Sequence, residues 1–144
     1  MADLTNPKIS TPACNDSVDA LLARANGGFI RLYSGTQPSD CDNPPTPGST
    51  LLAEMTMSNP AFNPAQDGAA LAKAIMPDAA ANADGVASWF RMTEPNGSPV
   101  WDGSVGKQED PQDDLYDLYL NSCNIVKDAS VGIASLAYIA RREK

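Results

Sequence analysis

The chain has 144 residues, 42% of them hydrophobic, and its 10 basic against 18 acidic side chains leave a net charge of −8. This is one domain's worth of chain with enough apolar residues for a real core, and its acidity argues against a nucleic-acid surface, which needs clustered Lys and Arg. No apolar run approaches the roughly 20 residues that cross a bilayer, so no membrane partner is expected.

In chain order, MADLTNPKISTPACND shows no basic start followed by an apolar stretch. No secretory signal is therefore expected, and the expected compartment is the cytoplasm or a particle assembled there. Residues 1–15 carry Pro7 and Pro12 without periodicity and read as an extended arm. A short helix is predicted over 16–26, with Asn15 or Asp16 as its cap and Asn26-Gly27-Gly28 as its end. Its apolar face holds Val18, Leu21, Leu22 and Ala25.

From Gly28 onward, short apolar stretches alternate with Pro and Gly, the punctuation of an all-β chain. Phe29–Ser34 predicts a strand with Ile30 and Leu32 on one face. Thr36–Ser49 carries Pro38, Pro44, Pro45 and Pro47 and reads as an exposed loop. Leu51, Ala53, Met55 and Met57 alternate with more polar neighbours, the clearest half-buried strand in the chain. Residues 69–76 are read as a further strand, Gly85–Thr93 as another, with Val86, Phe90 and Met92 on one side and Trp89 and Arg91 on the other. Glu94-Pro95-Asn96-Gly97 then makes a turn into a hairpin arm from Pro99 to Val105. The acidic stretch Glu109–Asp117 reads as a solvated loop. A strand begins at Leu118, and its apolar phase slips at Asn121-Ser122. A last strand covers about residues 131–140, with Val131, Ile133, Ala137 and Ile139 on one face and Leu136 and Tyr138 on the other. Apolar residues on both of its faces imply burial by a partner or a central place in the sheet.

The fold class expected is mostly β: residues 16–144 as a single β-sandwich domain, jelly-roll or Ig-like, of about seven strands with one short N-terminal helix.

The chain has no histidine, and Cys14, Cys41 and Cys123 form no CxxC pair. The common zinc sites, the Ser-His-Asp triad and the Cys-His dyad are thereby excluded. A Cys14–Cys41 bridge is open on spacing, but three separate, partly buried thiols are expected. Asp110, Asp113 and Asp114 lack the alternation and closing Glu of a calcium loop, and Gly103-Ser104-Val105-Gly106 lacks the Lys-Ser/Thr of a phosphate loop. No catalytic residue, metal or cofactor is expected. Trp89, Trp101 and Tyr138 each fall on the side of a strand opposite its best core face, and with Leu136 they are the contact residues expected for a partner protein, since aromatic side chains bring large apolar area with few rotamers to freeze.

The ordered segments FIRLYSGTQP, LLAEMTMSNPAF, GVASWFR, PVWDGSVG and DLYLNSCNIVKDASVGIASLAYI together resemble small virion structural proteins of tailed bacteriophages and prophages. The resemblance spans roughly residues 16–140. The proline-rich loop after Pro38 and the acidic stretch 109–114 depart from it. It implies a head decoration or cement protein on the capsid exterior, assembled in the bacterial cytoplasm. Its partner would be the major capsid protein, with self-association as a dimer or trimer. The alternative is a tail, baseplate or fibre-associated module that binds carbohydrate.

Overall fold

Ser10 sets the start of the only helix seen among the described residues, 8–107 and 116–139 of this computed structural model. Its side-chain oxygen accepts the Ala13 amide at 3.2 Å, and α1 runs Thr11–Ala23. The helix therefore begins ahead of the expected residue 16 and stops before 26. Residues 11–15, read as part of an arm, belong to it. Pro12 misleads as a breaker: in the first turn a missing N–H has no helical partner to lose. Residues 1–7 of the expected arm lie outside the described residues.

Cys14, Val18, Leu22 and, just past the helix, Ala25 are buried at helical spacing. A polar stripe runs beside them. The Oδ1 atoms of Asn15, Asp19 and Asn26 accept the backbone N–H groups of Gly68, Ala65 and Ala61 at 2.9, 2.9 and 2.8 Å. One stripe thus buries apolar area while its neighbour satisfies a loop backbone that would otherwise be left short of partners.

The strands are β1 (Phe29–Tyr33), β2 (Leu51–Met57), β3 (Ala69–Leu71), β4 (Ile75–Met76), β5 (Gly85–Val86), β6 (Trp89–Thr93), β7 (Pro99–Lys107), β8 (Leu118–Leu120), β9 (Asn124–Ile125) and β10 (Ser135–Ile139). Eight of them form one sheet in the order β3-β10-β8-β7-β6-β1-β2-β4, and β5 and β9 form a separate ribbon. The β7–β8 pair is parallel and the other strand pairs are antiparallel. The mostly-β expectation holds. The strand count exceeds about seven because three expected strands are each interrupted, at 72–74, 87–88 and 121–123.

The two ends of the sheet come from one stretch of chain, residues 69–76, which pairs with β10 through β3 and with β2 through β4. The sheet therefore curls, with both of its edges supplied by that one stretch, and the layers expected of a sandwich are parts of one curled sheet. Ala72 N–H donates to Leu136 O at 3.1 Å and Lys73 N–H to Ala61 O at 2.8 Å, so edge groups that could template aggregation find internal partners.

Inside the curl, Ile30, Leu32, Ala53, Met55, Phe90, Met92, Val105, Leu118, Leu120 and Leu136 make one buried cluster with the helix stripe. Each large aliphatic side chain buried this way contributes roughly 1.5–3 kcal/mol. Gly28 joins the helix exit to β1, and a Cβ there would run into the carbonyl oxygen of Thr93. The sequence needs glycine at this point because β6 passes directly alongside. Gly28→Ala is expected to lower stability by about 1–3 kcal/mol or more, because the obstacle is backbone and cannot swing aside. Gly48→Ala, which meets nothing within 4 Å, should stay within about 0.5 kcal/mol. Urea midpoints of the two variants check the contrast.

Candidate functional site

Strand alternation puts Arg31 and Tyr33 of β1, Glu54 of β2, Trp89 and Arg91 of β6 and Asp102 of β7 on the outward face. The register sets Tyr33 opposite Trp89, Arg31 opposite both Glu54 and Arg91, and Arg91 opposite Asp102. Four adjacent strands thus carry the row Glu54–Arg31–Arg91–Asp102, in which each central cation has an acid on its outer side.

The two ion pairs are unequal. Arg31 Nε meets Glu54 Oε2 at 2.7 Å with both side chains about a third exposed, the kind of pair that contributes about 0–1 kcal/mol. Arg91 and Asp102 are buried, 8% and 4% exposed. Their contact is two-pronged, Nε to Oδ1 at 2.8 Å and Nη2 to Oδ2 at 3.0 Å, the geometry in which Arg binds a carboxylate most strongly. The hydrogen bond to Asp102 raises the pKa of Arg91 further, so its charge is fixed.

Residues 36–49 close over this face. Arg91 Nη2 donates to Asn43 O at 2.7 Å, and the Cys41 thiol donates to Asp102 Oδ1 at 3.3 Å. Trp89 Nε1 donates to Ser34 O and Ser49 Oγ at 3.3 and 3.2 Å. The Trp89 ring stacks on Tyr33 with centroids 4.5 Å apart, and the Arg91 guanidinium lies 5.6 Å from the Trp89 ring centre, within reach of a cation–π attraction. Burial raises the pKa of Tyr33. Burial first, then the bond to Asp102, pushes the Cys41 thiol up to about 12 from 9.0. Such a thiol is a poor nucleophile at neutral pH. All three cysteines are free.

The four expected contact residues divide. Trp89 lies on the outward face, as its alternation predicts, but the loop leaves it only 1% exposed. Leu136 is 4% exposed and belongs to the core. Neither presents surface to a partner in the chain by itself. Trp101 and Tyr138, expected on the side away from the core, lie on the core side. Pairing of β7 with β6 places Trp101 opposite Met92, and its Nε1–H points at Met92 Sδ at 3.1 Å. Trp101 meets the rings of Phe90 and Tyr138 edge-on at 5.1 and 4.9 Å. These two residues are brought together, half-buried, at the edge of the core. The last strand's inward residues are thus Leu136 and Tyr138, while Ile139 faces out.

Exposed apolar side chains lie elsewhere. Leu71 and Ile139 are 62% and 61% exposed, and the β3–β10 register makes them diagonal neighbours on one face. The two-sided apolar pattern near residue 139 is the sequence signal for Ile139, and only the register brings Leu71 beside it. Val86 and Val126, at the β5–β9 ribbon, are also exposed. A cleft of about 290 Å³ lies between α1 and residues 60–64, bordered by Leu22, Phe62 and Pro64 with Asp19 and Lys73. Among the described residues no group of His, Cys, Asp or Glu is arranged to hold a metal ion, and no helix is long and apolar enough to cross a membrane. Asp110, Asp113 and Asp114, weighed for calcium, lie outside the described residues.

Asp102→Ala would strand a buried guanidinium and is expected to cost about 3–5 kcal/mol, whereas replacing both partners, as in R91M/D102L, should cost less than the single change. Urea unfolding of the three proteins checks this. Alkaline pH gives a second test. The folded chain keeps the Cys41 proton that the unfolded chain releases, so the stabilisation is complete below pH 9.0 and lost as the pH rises towards about 12. In Cys41→Ser, which keeps a hydroxyl donor without that titration, the decline in urea midpoint over this window should be shallower.

Compared with known proteins, the chain matches no family model, no curated protein and no solved structure.

Proposed function

We propose that this chain is a non-enzymatic structural protein of a tailed-bacteriophage particle, and within it a decoration or cement protein. It would bind the outside of the head lattice through the major capsid protein. The ordered sequence likeness carries the reading. Four of the segments that bear it hold β1, β2 and most of β6 and β7, which are neighbours in the curled sheet. The likeness therefore falls on the frame of the fold; of its two departures, the proline-rich stretch after Pro38 falls on the loop that covers that frame, and the acidic stretch 109–114 lies outside the described residues. A net charge of −8 suits a protein present at high copy number, since mutual repulsion keeps it soluble.

Self-association belongs to the same reading. The exposed pair Leu71 and Ile139 at the β3–β10 edge is the apolar surface best placed for it.

Purified protein mixed with heads lacking it should co-sediment at a fixed ratio to the capsid protein and raise their resistance to heat or chelators. Indifference to such heads, or co-purification with tails, contradicts the assignment and favours the tail or fibre alternative. Light scattering at high concentration should give a dimer or trimer, shifted towards monomer by Leu71→Asp; a monomer throughout contradicts self-association.

A further inference from the structure

The loop over the outward face has the construction of a separate moving part. Its own residues are mostly exposed and only Pro38 is buried, yet beneath it Tyr33, Trp89, Arg91 and Asp102 are all shielded from water. Its backbone leaves the β1–β2 ladder at a neck where Ser34 N–H donates to Thr50 O at 3.1 Å. The neck is tied by Thr46 Oγ1 donating to Thr36 O at 2.7 Å and by Ser88 Oγ donating to Gly35 O at 2.6 Å. Within the loop, Asn43 N–H donates to Asp40 O, Ser49 N–H to Thr46 O, and Asp42 N–H to Asp40 Oδ1. These bonds, with four prolines that restrict the backbone, hold the loop's shape from within.

Beyond covering the two rings, the loop is tied to the face below by few hydrogen bonds. Asn43 O accepts from Arg91, the Cys41 thiol donates to Asp102, and Ser49 Oγ accepts from the Trp89 ring. Two of these three contacts end on the Arg91–Asp102 pair. The sheet beneath, in contrast, is held by continuous ladders and by the apolar cluster on its other face. Segments with few buried apolar contacts open at lower free energy than the core that carries them.

We propose that residues 36–49 form a strap that lifts from the sheet as a unit while the sheet stays folded, with the Arg91–Asp102 pair as its latch. In the closed state Trp89 and Tyr33 are covered; in the lifted state they form an exposed aromatic face beside a fixed cation. Trp89 reaches a partner only through this opening.

Cys41 on the strap and Cys14 in the core (2% exposed) report the two motions separately. Native protein is alkylated with iodoacetamide at several urea concentrations below the unfolding midpoint, and each cysteine is followed by peptide mass spectrometry. The strap predicts that Cys41 reacts at least about tenfold faster than Cys14, with a rate nearly flat in urea while the Cys14 rate climbs. Asp102→Asn, which weakens both latch contacts, should raise the Cys41 rate relative to Cys14 by a further factor of about ten. Parallel rates with equal urea slopes would overturn the proposal, because the loop would then open only with the whole fold. Reaction of Cys41 as fast as in the urea-unfolded chain would overturn it as well, because no closed state would exist. If Asp102→Asn does not fold, the urea series on the unaltered protein decides.

Discussion

A charged pair buried on the outward face of a sheet constrains everything around it. Taking Arg91 and Asp102 out of water costs several kcal/mol per ion, and their attraction recovers this only if the geometry is good and the remaining donors and acceptors are used. Asp102 receives two guanidinium N–H groups and the Cys41 thiol, and Arg91 gives its other contact to Asn43 O. Both Cys41 and Asn43 belong to the proline-rich loop. The loop must therefore come back over the sheet, and in doing so it covers Trp89 and Tyr33, which stack beside the pair. A face that alternation alone would leave wet is dry at this point.

The inward face follows a simpler rule. Short strands cannot bury enough area singly, so the sheet curls and shares one apolar cluster with the helix. The curl ends where residues 69–76 serve both edges. The helix holds its place through Asn15, Asp19 and Asn26, which take up backbone N–H groups of residues 61–68. The same element thus closes the core and satisfies the connection leading to the closing strand.

Legibility in the sequence tracks how local each feature is. Ile30 with Leu32, Phe90 with Met92, and the Glu94–Gly97 turn are set by neighbours a few residues away, and they were readable. The helix start was not, because Pro12 looks like a breaker until Ser10 is recognised as the cap. The faces of Trp101 and Tyr138 depend on the register of β7 against β6 and of β10 against β8 and β3, which no single-strand pattern encodes. Burial of Trp89 depends on a loop returning from residues 36–49. Of the expected contact residues, Trp101 and Tyr138 do meet, but at the rim of the core. The more exposed apolar pair, Leu71 and Ile139, spans two strands far apart in sequence and shows only once they are aligned.

The proposal that this chain decorates a phage head has a place on the particle as its central claim. The most direct test is a density map of any phage particle released by cells that encode the chain, at a resolution that separates strands. The proposal predicts the curled sheet with helix α1 on the outer surface of the head, in a fixed number of copies per capsid subunit. Complete heads without such density, or the same fold found on the tail, would contradict it.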